Sequence, residues 1–378
     1  MISWTSKLPH LCMLALAVSV LLLAACDGDV TVEDEPLLSG GFPTGGGTPA
    51  PQFLYSATES PSSLQGFLVD PATGSLTEVP GSPWSVNTAP TDIEADPTGT
   101  HLYVANNGSI SVTVFAIDRE TGALTQVGSP VTTNNAPFGL AVHPSGSFVF
   151  VNLFNDYVET FSRDPGSGAL TSLGLSPALG GSLARRMVVH PNGAYLYVSV
   201  SADDFVQILS INQGTGALAI VGIGNAVDPY GLRIDPSGSY LYAGSSSSVN
   251  VAAFSVNPGT GALTALGPPT YGTSGLSRAV AFDATGTVLI ASEVGNDTVY
   301  PFLFNSGTGA LTGVTDFTAD SDPIAIEPCG PFIYVANETA ANISGFTINP
   351  GTGVLTDTAP PRTNTNGNLY DIEPVGCD

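Results

Sequence analysis

From residue 53 onward the chain alternates short apolar runs with clusters of turn-forming residues. Segments such as His101 to Asn106 (HLYVAN) and Ser111 to Asp118 (SVTVFAID) alternate or are nearly continuous in apolar side chains. Runs of that length and pattern are the signature of strands covered on both faces. The stretch from Ala89 to Val127 then returns along the chain. A Thr-Gly-Ala-Leu-Thr signal begins at Thr73, Thr121, Ser167, Thr215, Thr260, Thr308 and Thr352, with spacings of 48, 46, 48, 45, 48 and 44 residues. A second signal, acid or His, then Pro or Ala, any residue and Gly, keeps step with it at Asp96, His143, His190, Asp235, Asp283, Glu327 and Glu373. Repeats of this period with turn-bounded strands predict an all-β, seven-bladed β-propeller with four-stranded blades.

The turn residues have physical reasons to recur. Asp-Pro-Ser-Gly places an acid first, a Pro with preset φ second and a Gly fourth, the order a type I turn asks for, and it joins strand a to strand b. In Thr-Gly-Ala-Leu the Gly reaches the left-handed conformation of a short bulged hairpin between strands c and d. The ring also predicts its own closure. The first copy, from Phe53, begins at strand b, whereas Asn368 to Asp378 supplies a strand a with nothing after it. The amino- and carboxy-terminal strands therefore pair in one blade, which leaves no open sheet edge at the seam.

Composition narrows the partners. Of 378 residues only 11% are charged, Gly and Pro number 44 and 30, and the formal net charge is −24. Lys7 is the one lysine among eight basic residues, so no cationic face exists to displace counterions from nucleic acid. The same sign opposes adhesion to an anionic bilayer by charge. The start of the chain offers another link: Lys7 and His10 precede an apolar run from Leu11 to Leu23, too short to span a bilayer but fitting an export signal. It ends in Leu23-Ala24-Ala25-Cys26, which resembles a bacterial lipobox, cleaved before a Cys that then carries lipid. The predicted organisation is a lipoprotein signal peptide over 1–25, a lipidated Cys26 and flexible acidic, Gly/Pro-rich linker over 26–52, and the propeller over 53–378. That places the protein in the bacterial cell envelope, touching the membrane through its lipid alone, as a monomer.

Cys329 and Cys377 remain, an even pair in an exported chain, both beside a–b turns of adjacent blades, and the expectation is one disulfide. The a–b and c–d turns share one face of the ring with both termini. The b–c loops and the entries to the inner strands form the opposite, outward face, where ligands are sought. Asn106, Asn107, Asn155, Asp156, Asp203, Asp204, Glu293, Asp297 and Glu338 fall on its loops. Asp92, Arg185, Arg186, Arg278, Asp322 and Asn368 fall where inner strands begin. Three of seven arginines thus gather at the central mouth. They suit an anion or sugar-acid ligand, although each could instead pair with a neighbouring acid to fix adjacent blades. The candidate binding set is Arg185, Arg186, Arg278, Asp92 and Asp297, with Glu293 or Asp203 to activate water. No histidine is expected at the mouth: His143 and His190 stand in turns and His101 opens a strand on the tether face. The sequence has no G-x-S-x-G, CxxC or H-E-x-x-H, which leaves serine catalysis and zinc without support and predicts no metal and no cofactor.

The repeated unit of DPxGxxLYVAN, VxxFxID and TGxLTxV, from Phe53 to Asp378, resembles the seven-bladed lactonase family that includes the propeller-type 6-phosphogluconolactonases. The resemblance implies hydrolysis of a sugar lactone in the outward mouth. One inner strand of that family typically reads Arg-His, three apolar residues and His-Pro-x-Gly. Here Arg185 to Gly193 (RRMVVHPNG) keeps the first Arg and the turn, with Arg186 in place of the His. The Glu and Asn that usually follow the next strand are absent from Tyr197 to Val200. The expectation is a lactonase-like propeller serving as a ligand-binding or interaction scaffold for a small anionic or sugar-like ligand or an envelope protein. The alternative is a lactone hydrolase of 6-phosphogluconolactonase type.

Overall fold

The computed structural model describes residues 50–377; the signal, Cys26 and most of the linker lie outside them. Seven antiparallel sheets follow one another, each a path of four strands from the central channel to the rim. The inner strands of the first six blades are Pro90–Ala95, Pro137–Val142, Ala184–Val189, Pro229–Ile234, Val280–Phe282 and Pro323–Cys329. The seventh blade is composite: Leu369–Val375 pairs antiparallel with Gln52–Thr58, from Phe53 opposite Val375 to Ala57 opposite Asp371. The chain's last strand is therefore the innermost strand of the sheet that its first strand began. Cys329 and Cys377 form a disulfide across 48 residues, and the Gly330 amide donates to the Cys377 carbonyl at 3.2 Å. The seam is thus covalently pinned to the sixth blade.

The turn motifs carry more than local geometry. In the a–b turn, the Asp96 carboxylate accepts from the amides of Thr100 at 2.7 Å and His101 at 2.6 Å, while the Gly99 amide donates to the Asp96 carbonyl. His143 and His190 replace that acid and reach onward, each with Nε2 at 2.9 Å from the carbonyl of the next blade's turn glycine, Gly193 and Gly238.

In the c–d turn the glycine is required twice. Gly122 has φ +74°, and a Cβ there would lie 2.5 Å from the ring of Phe53 in the preceding blade. The backbone also accepts a bond from that blade: Tyr55 Oη donates to the Gly122 carbonyl at 2.8 Å. The same bond recurs from Tyr103 to Gly168, Tyr197 to Gly261, Tyr242 to Gly309 and Tyr334 to Gly74. Burial raises the pKa of these phenols, that of Tyr103 to about 12, so each remains a donor.

One assignment from sequence is corrected by the register. Glu327 and Glu373 lie opposite Tyr334 and Tyr55, the level that Glu94 occupies opposite Tyr103. They are not the turn acids of the last two blades but inner-strand residues two positions earlier. In the sixth blade Cys329 already pairs with Phe332, so the Glu-Pro-Cys-Gly stretch continues the strand and the turn tightens around Gly330, at φ +55°.

Tyr334→Phe removes one inter-blade donor and leaves the Gly74 carbonyl buried without it, and is expected to destabilise the protein by about 1–2 kcal/mol in urea titration. Gly74→Ala adds a Cβ 2.5 Å from the Phe332 ring at φ +71° and is expected to cost more than the loss of the hydroxyl.

Candidate functional site at the channel mouth

Register places the channel residues in tiers. Deepest are Glu94, Arg233, Glu327 and Glu373, opposite Tyr103, Tyr242, Tyr334 and Tyr55. Two residues toward the mouth come Asp92, opposite Ala105, and Asp371, opposite Ala57, with Arg186 bonded through its amide to Ser199 at the same level. Just beyond, the inner strands slip register. The shifts fall between Pro90 and Asp92, Pro137 and Gly139, Ala184 and Met187, Pro229 and Leu232, and Pro323 and Ala325. A bulge inserts an unpaired residue and re-aims its side chain. Phe138, Arg185 and Tyr230 stand at these slips.

The ion pairs of Arg186 and Arg233 cross the channel, whereas Arg163 with Asp96 at 2.9 Å and Arg278 with Glu338 at 3.7 Å join neighbouring blades. Arg186 of the third blade reaches Asp92 of the first and Asp371 of the seventh, the latter at 3.3 Å. Arg233 of the fourth blade pairs with Glu327 of the sixth. Two spokes therefore span the ring at two depths. Beneath the mouth they leave a cavity of about 100 Å³, lined among others by Asp92, Arg186, Arg233 and Arg278. A cavity of about 570 Å³ opens from the turn face and shares Glu94, Arg233, Glu327 and Glu373 with it. Those four side chains form the waist of the channel.

Three carboxylates share one guanidinium at that waist. Burial, then the neighbouring Glu327, raise the pKa of Glu94 to about 8 against the opposing pull of Arg233. Burial, then Glu94 and Glu327, push Glu373 well above the usual carboxylate range. Glu327 and Asp371 are also raised, chiefly by burial, although Arg233 and Arg186 oppose it.

The outer tier combines rings and cations. The Arg185 guanidinium lies 5.2 Å from the centroid of Phe138 and 5.5 Å from that of Tyr230, and that of Arg278 lies 5.9 Å from Tyr230. Arg278 also meets Glu338 at 3.7 Å. Burial raises the pKa of Glu338, opposed by Arg278 and assisted by Asp322 and Glu59. Among the described residues, no carboxylate lies within 4.0 Å of Arg185.

The structure thus brings together Arg185, Arg186, Arg278 and Asp92. It does not bring the other sequence candidates to the channel. Glu293 is buried and accepts from the Ser274 amide, Ser274 Oγ at 2.7 Å and the Gly275 amide at 3.1 Å, so its lone pairs are spent on fixing a loop. Asp203 accepts from the Ser182 amide at 2.7 Å and hydroxyl at 3.2 Å. Asp297 accepts from the Asp322 amide at 3.2 Å. Sequence reasoning missed Arg233 and Glu94, although Arg233 is the one charge of its strand, in PYGLRI, and Glu94 follows Asp92 at the strand period in PTDIEA. Among the described residues, no three His, Cys, Asp or Glu side chains converge as a metal site.

The carboxylates of the waist set a pH dependence. An acid whose folded pKa is raised binds more protons folded than unfolded, so the stability it confers is full below its unfolded pKa and declines as pH rises toward the folded one. The melting temperature is expected to fall between about pH 5 and pH 8. Glu94→Gln is expected to flatten that slope and to raise the melting temperature most at the alkaline end, measured by scanning calorimetry across pH.

Three comparisons with known proteins bear on the chain. The family model described as "Lactonase, 7-bladed beta-propeller" matches residues 47–184, 180–277 and 268–367. A 6-phosphogluconolactonase of Formosa agariphila is 33% identical over 102 residues, covering 26% of this chain and 29% of that protein, so the chain matches under a third of its length. Among solved structures, a putative 6-phosphogluconolactonase of Bacteroides fragilis superposes with a TM-score of 0.76 at 18% identity, covering 86% of this chain and 98% of that one. The periplasmic gluconolactonase PpgL of Pseudomonas aeruginosa gives 0.75 at 20% identity, covering 87% and 100%. At those identities the superpositions establish the fold.

Proposed function

Because the chain belongs to the family of seven-bladed lactonase propellers, we propose that it hydrolyses a sugar lactone at the outward mouth of the ring. This reading has better support than an interaction scaffold without chemistry. The observation that carries it is a carboxylate and a guanidinium in loose contact, Glu338 and Arg278, beside the stacked Arg185. Burial keeps the Glu338 carboxyl a stronger base than an exposed one once it is ionised.

In the reaction Glu338 accepts a proton from water as the water oxygen bonds to the lactone carbonyl carbon. The carbonyl oxygen becomes an oxyanion beside the Arg278 guanidinium, a fixed positive charge where negative charge develops. Collapse breaks the bond to the ring oxygen, which takes the proton back from Glu338, and the open hydroxy acid leaves. Arg185 holds a hydroxyl or acidic substituent of the ring through its guanidinium, which lies against the Phe138 and Tyr230 rings and is steadied by the bond from its Nε to Ser201 Oγ at 3.3 Å. An unphosphorylated sugar lactone suits an exported chain, and one structural neighbour is named as a periplasmic gluconolactonase.

On glucono-1,5-lactone the protein is expected to exceed the spontaneous rate. Glu338→Gln should lower kcat by roughly 100-fold or more with little change in KM, and the wild-type rate should rise with pH as Glu338 ionises. No hydrolysis above background by the wild type would overturn the proposal. The envelope location is likewise a proposal, supported by the apolar run ending in Leu23-Ala24-Ala25-Cys26. Labelling with a radioactive fatty acid should mark the wild type and not Cys26→Ser, and fractionation should move that variant out of the membranes.

A further inference from the structure

The b–c loops open with a repeated backbone bond that defines a rim above the channel. The amides of Asn107, Phe154, Ser201, Ser246, Val294, Glu338 and Glu59 donate to the carbonyls of Ala89, Ala136, Leu183, Asp228, Leu276, Asp322 and Asn368, one pair per blade. The seven side chains therefore occupy equivalent places, and they are not alike. Glu338 and Glu59 put two acids on the sixth and seventh blades, and Arg278 meets the first of them. Phe154, on the second blade, is the one aromatic member, and a seven-membered ring places it across from the sixth.

Phe154 is 45% exposed, whereas Phe138, 5.6 Å away in an edge-to-face contact, is 9% exposed. A single exposed apolar side chain needs no explanation by itself. This one belongs to a cluster: Phe154 lies edge to face with Phe138, Phe138 edge to face with Tyr230 at 6.3 Å, the Arg185 guanidinium lies over both Phe138 and Tyr230, and Arg278 over Tyr230. Through Phe138 the cluster ties the exposed ring to a cation that has no carboxylate partner among the described residues, on the wall opposite the acids.

We infer that Phe154 is a specificity-determining residue, a ledge on which the flat C–H face of the ligand ring lies while Arg185 takes the adjoining hydroxyl or carboxylate. The inference rests on the proposed lactone chemistry for the identity of the ligand, and on the rim geometry for the role of the ring. It makes the site selective for a ring or chain with an apolar face next to polar groups, as in a sugar lactone and its aldonic acid. A compact, fully hydrated anion such as inorganic phosphate has no such face and gains nothing from the ledge.

The test uses the full chain with Phe154→Ser, which installs the residue that the third and fourth blades carry at Ser201 and Ser246 and so leaves the loop foldable, and with Phe154→Trp as the conservative variant. KM is measured for glucono-1,5-lactone, and the Kd of gluconate by calorimetry, a reading that does not depend on turnover. Phe154→Ser is expected to raise both by roughly tenfold, with kcat nearly unchanged, and Phe154→Trp to restore them. Unchanged KM and Kd in Phe154→Ser would overturn the ledge while leaving hydrolysis standing. Gluconate binding that weakens in Phe154→Ser, in a wild type that hydrolyses nothing, would sustain the ledge and remove the lactonase reading. Absence of gluconate binding by the wild type would overturn the inference outright.

Discussion

The bond from a tyrosine hydroxyl in one blade to a glycine carbonyl in the next is the contact on which the ring depends. Sheets packed face to face through apolar side chains can slide, because dispersion is non-directional. A phenol buried at the interface can donate in few directions, and a carbonyl presented by a left-handed glycine accepts only at one height. Five of the seven interfaces carry that bond, and Tyr334 to Gly74 carries it from the sixth blade to the composite seventh. The two remaining interfaces have Phe150 and Ile290 in the tyrosine's place, both fully buried. Directional fixing at most interfaces is enough, since a closed ring transmits the register of each blade to its neighbours.

Once the blades are fixed in height, the inner strands present their residues as level tiers, and charge can be placed across the channel. Arg186 and Arg233 each reach past at least one blade to their acids, so the spokes hold the ring at its centre as the tyrosines hold it at the interfaces. Removing one partner of such a pair leaves an uncompensated charge in a confined space, the costly case for a buried ion pair. The waist also contains more acid than base, and burial resolves the excess by raising proton affinity.

The repeat, its turns, the closure at the seam and the cysteine pair were legible because each is a local pattern with a local cause. The Gly of each Thr-Gly-Ala-Leu signal stands in the left-handed conformation that its turn needs, and a strand without its partner implies one elsewhere. The arginines at 185, 186 and 278 and Asp92 were legible too, as rare charges at matching points of a repeat. What failed was anything needing register. Glu-Pro-Cys-Gly has the composition of the turn motif, yet pairing of Cys329 with Phe332 moves its acid into the channel. Glu293 and Asp203 lie on the outward face as expected, but distance from the axis is not written in a loop's composition, and both are saturated by local donors. Arg233 looked like an ordinary strand residue because its partner Glu327 is 94 positions away.

The same geometry separates the part of the channel that holds the ring from the part suited to chemistry. A general base must lose its proton near neutral pH and must not be needed for structure. Glu94 and Glu373 retain protons because burial and mutual repulsion demand it, and Glu327, Asp92 and Asp371 are committed to the spokes. The cavity between the spokes, at about 100 Å³, is also smaller than the few hundred that small ligands ordinarily occupy. Above the spokes the constraints relax. Glu338 meets Arg278 loosely, Arg185 lies against two rings with no carboxylate on it among the described residues, and Phe154 stands open to solvent. A propeller with one inner charge system for its own cohesion therefore has its reactive groups where the inner strands bulge outward, at the rim, and their differences from blade to blade turn a near-sevenfold ring into a site with direction.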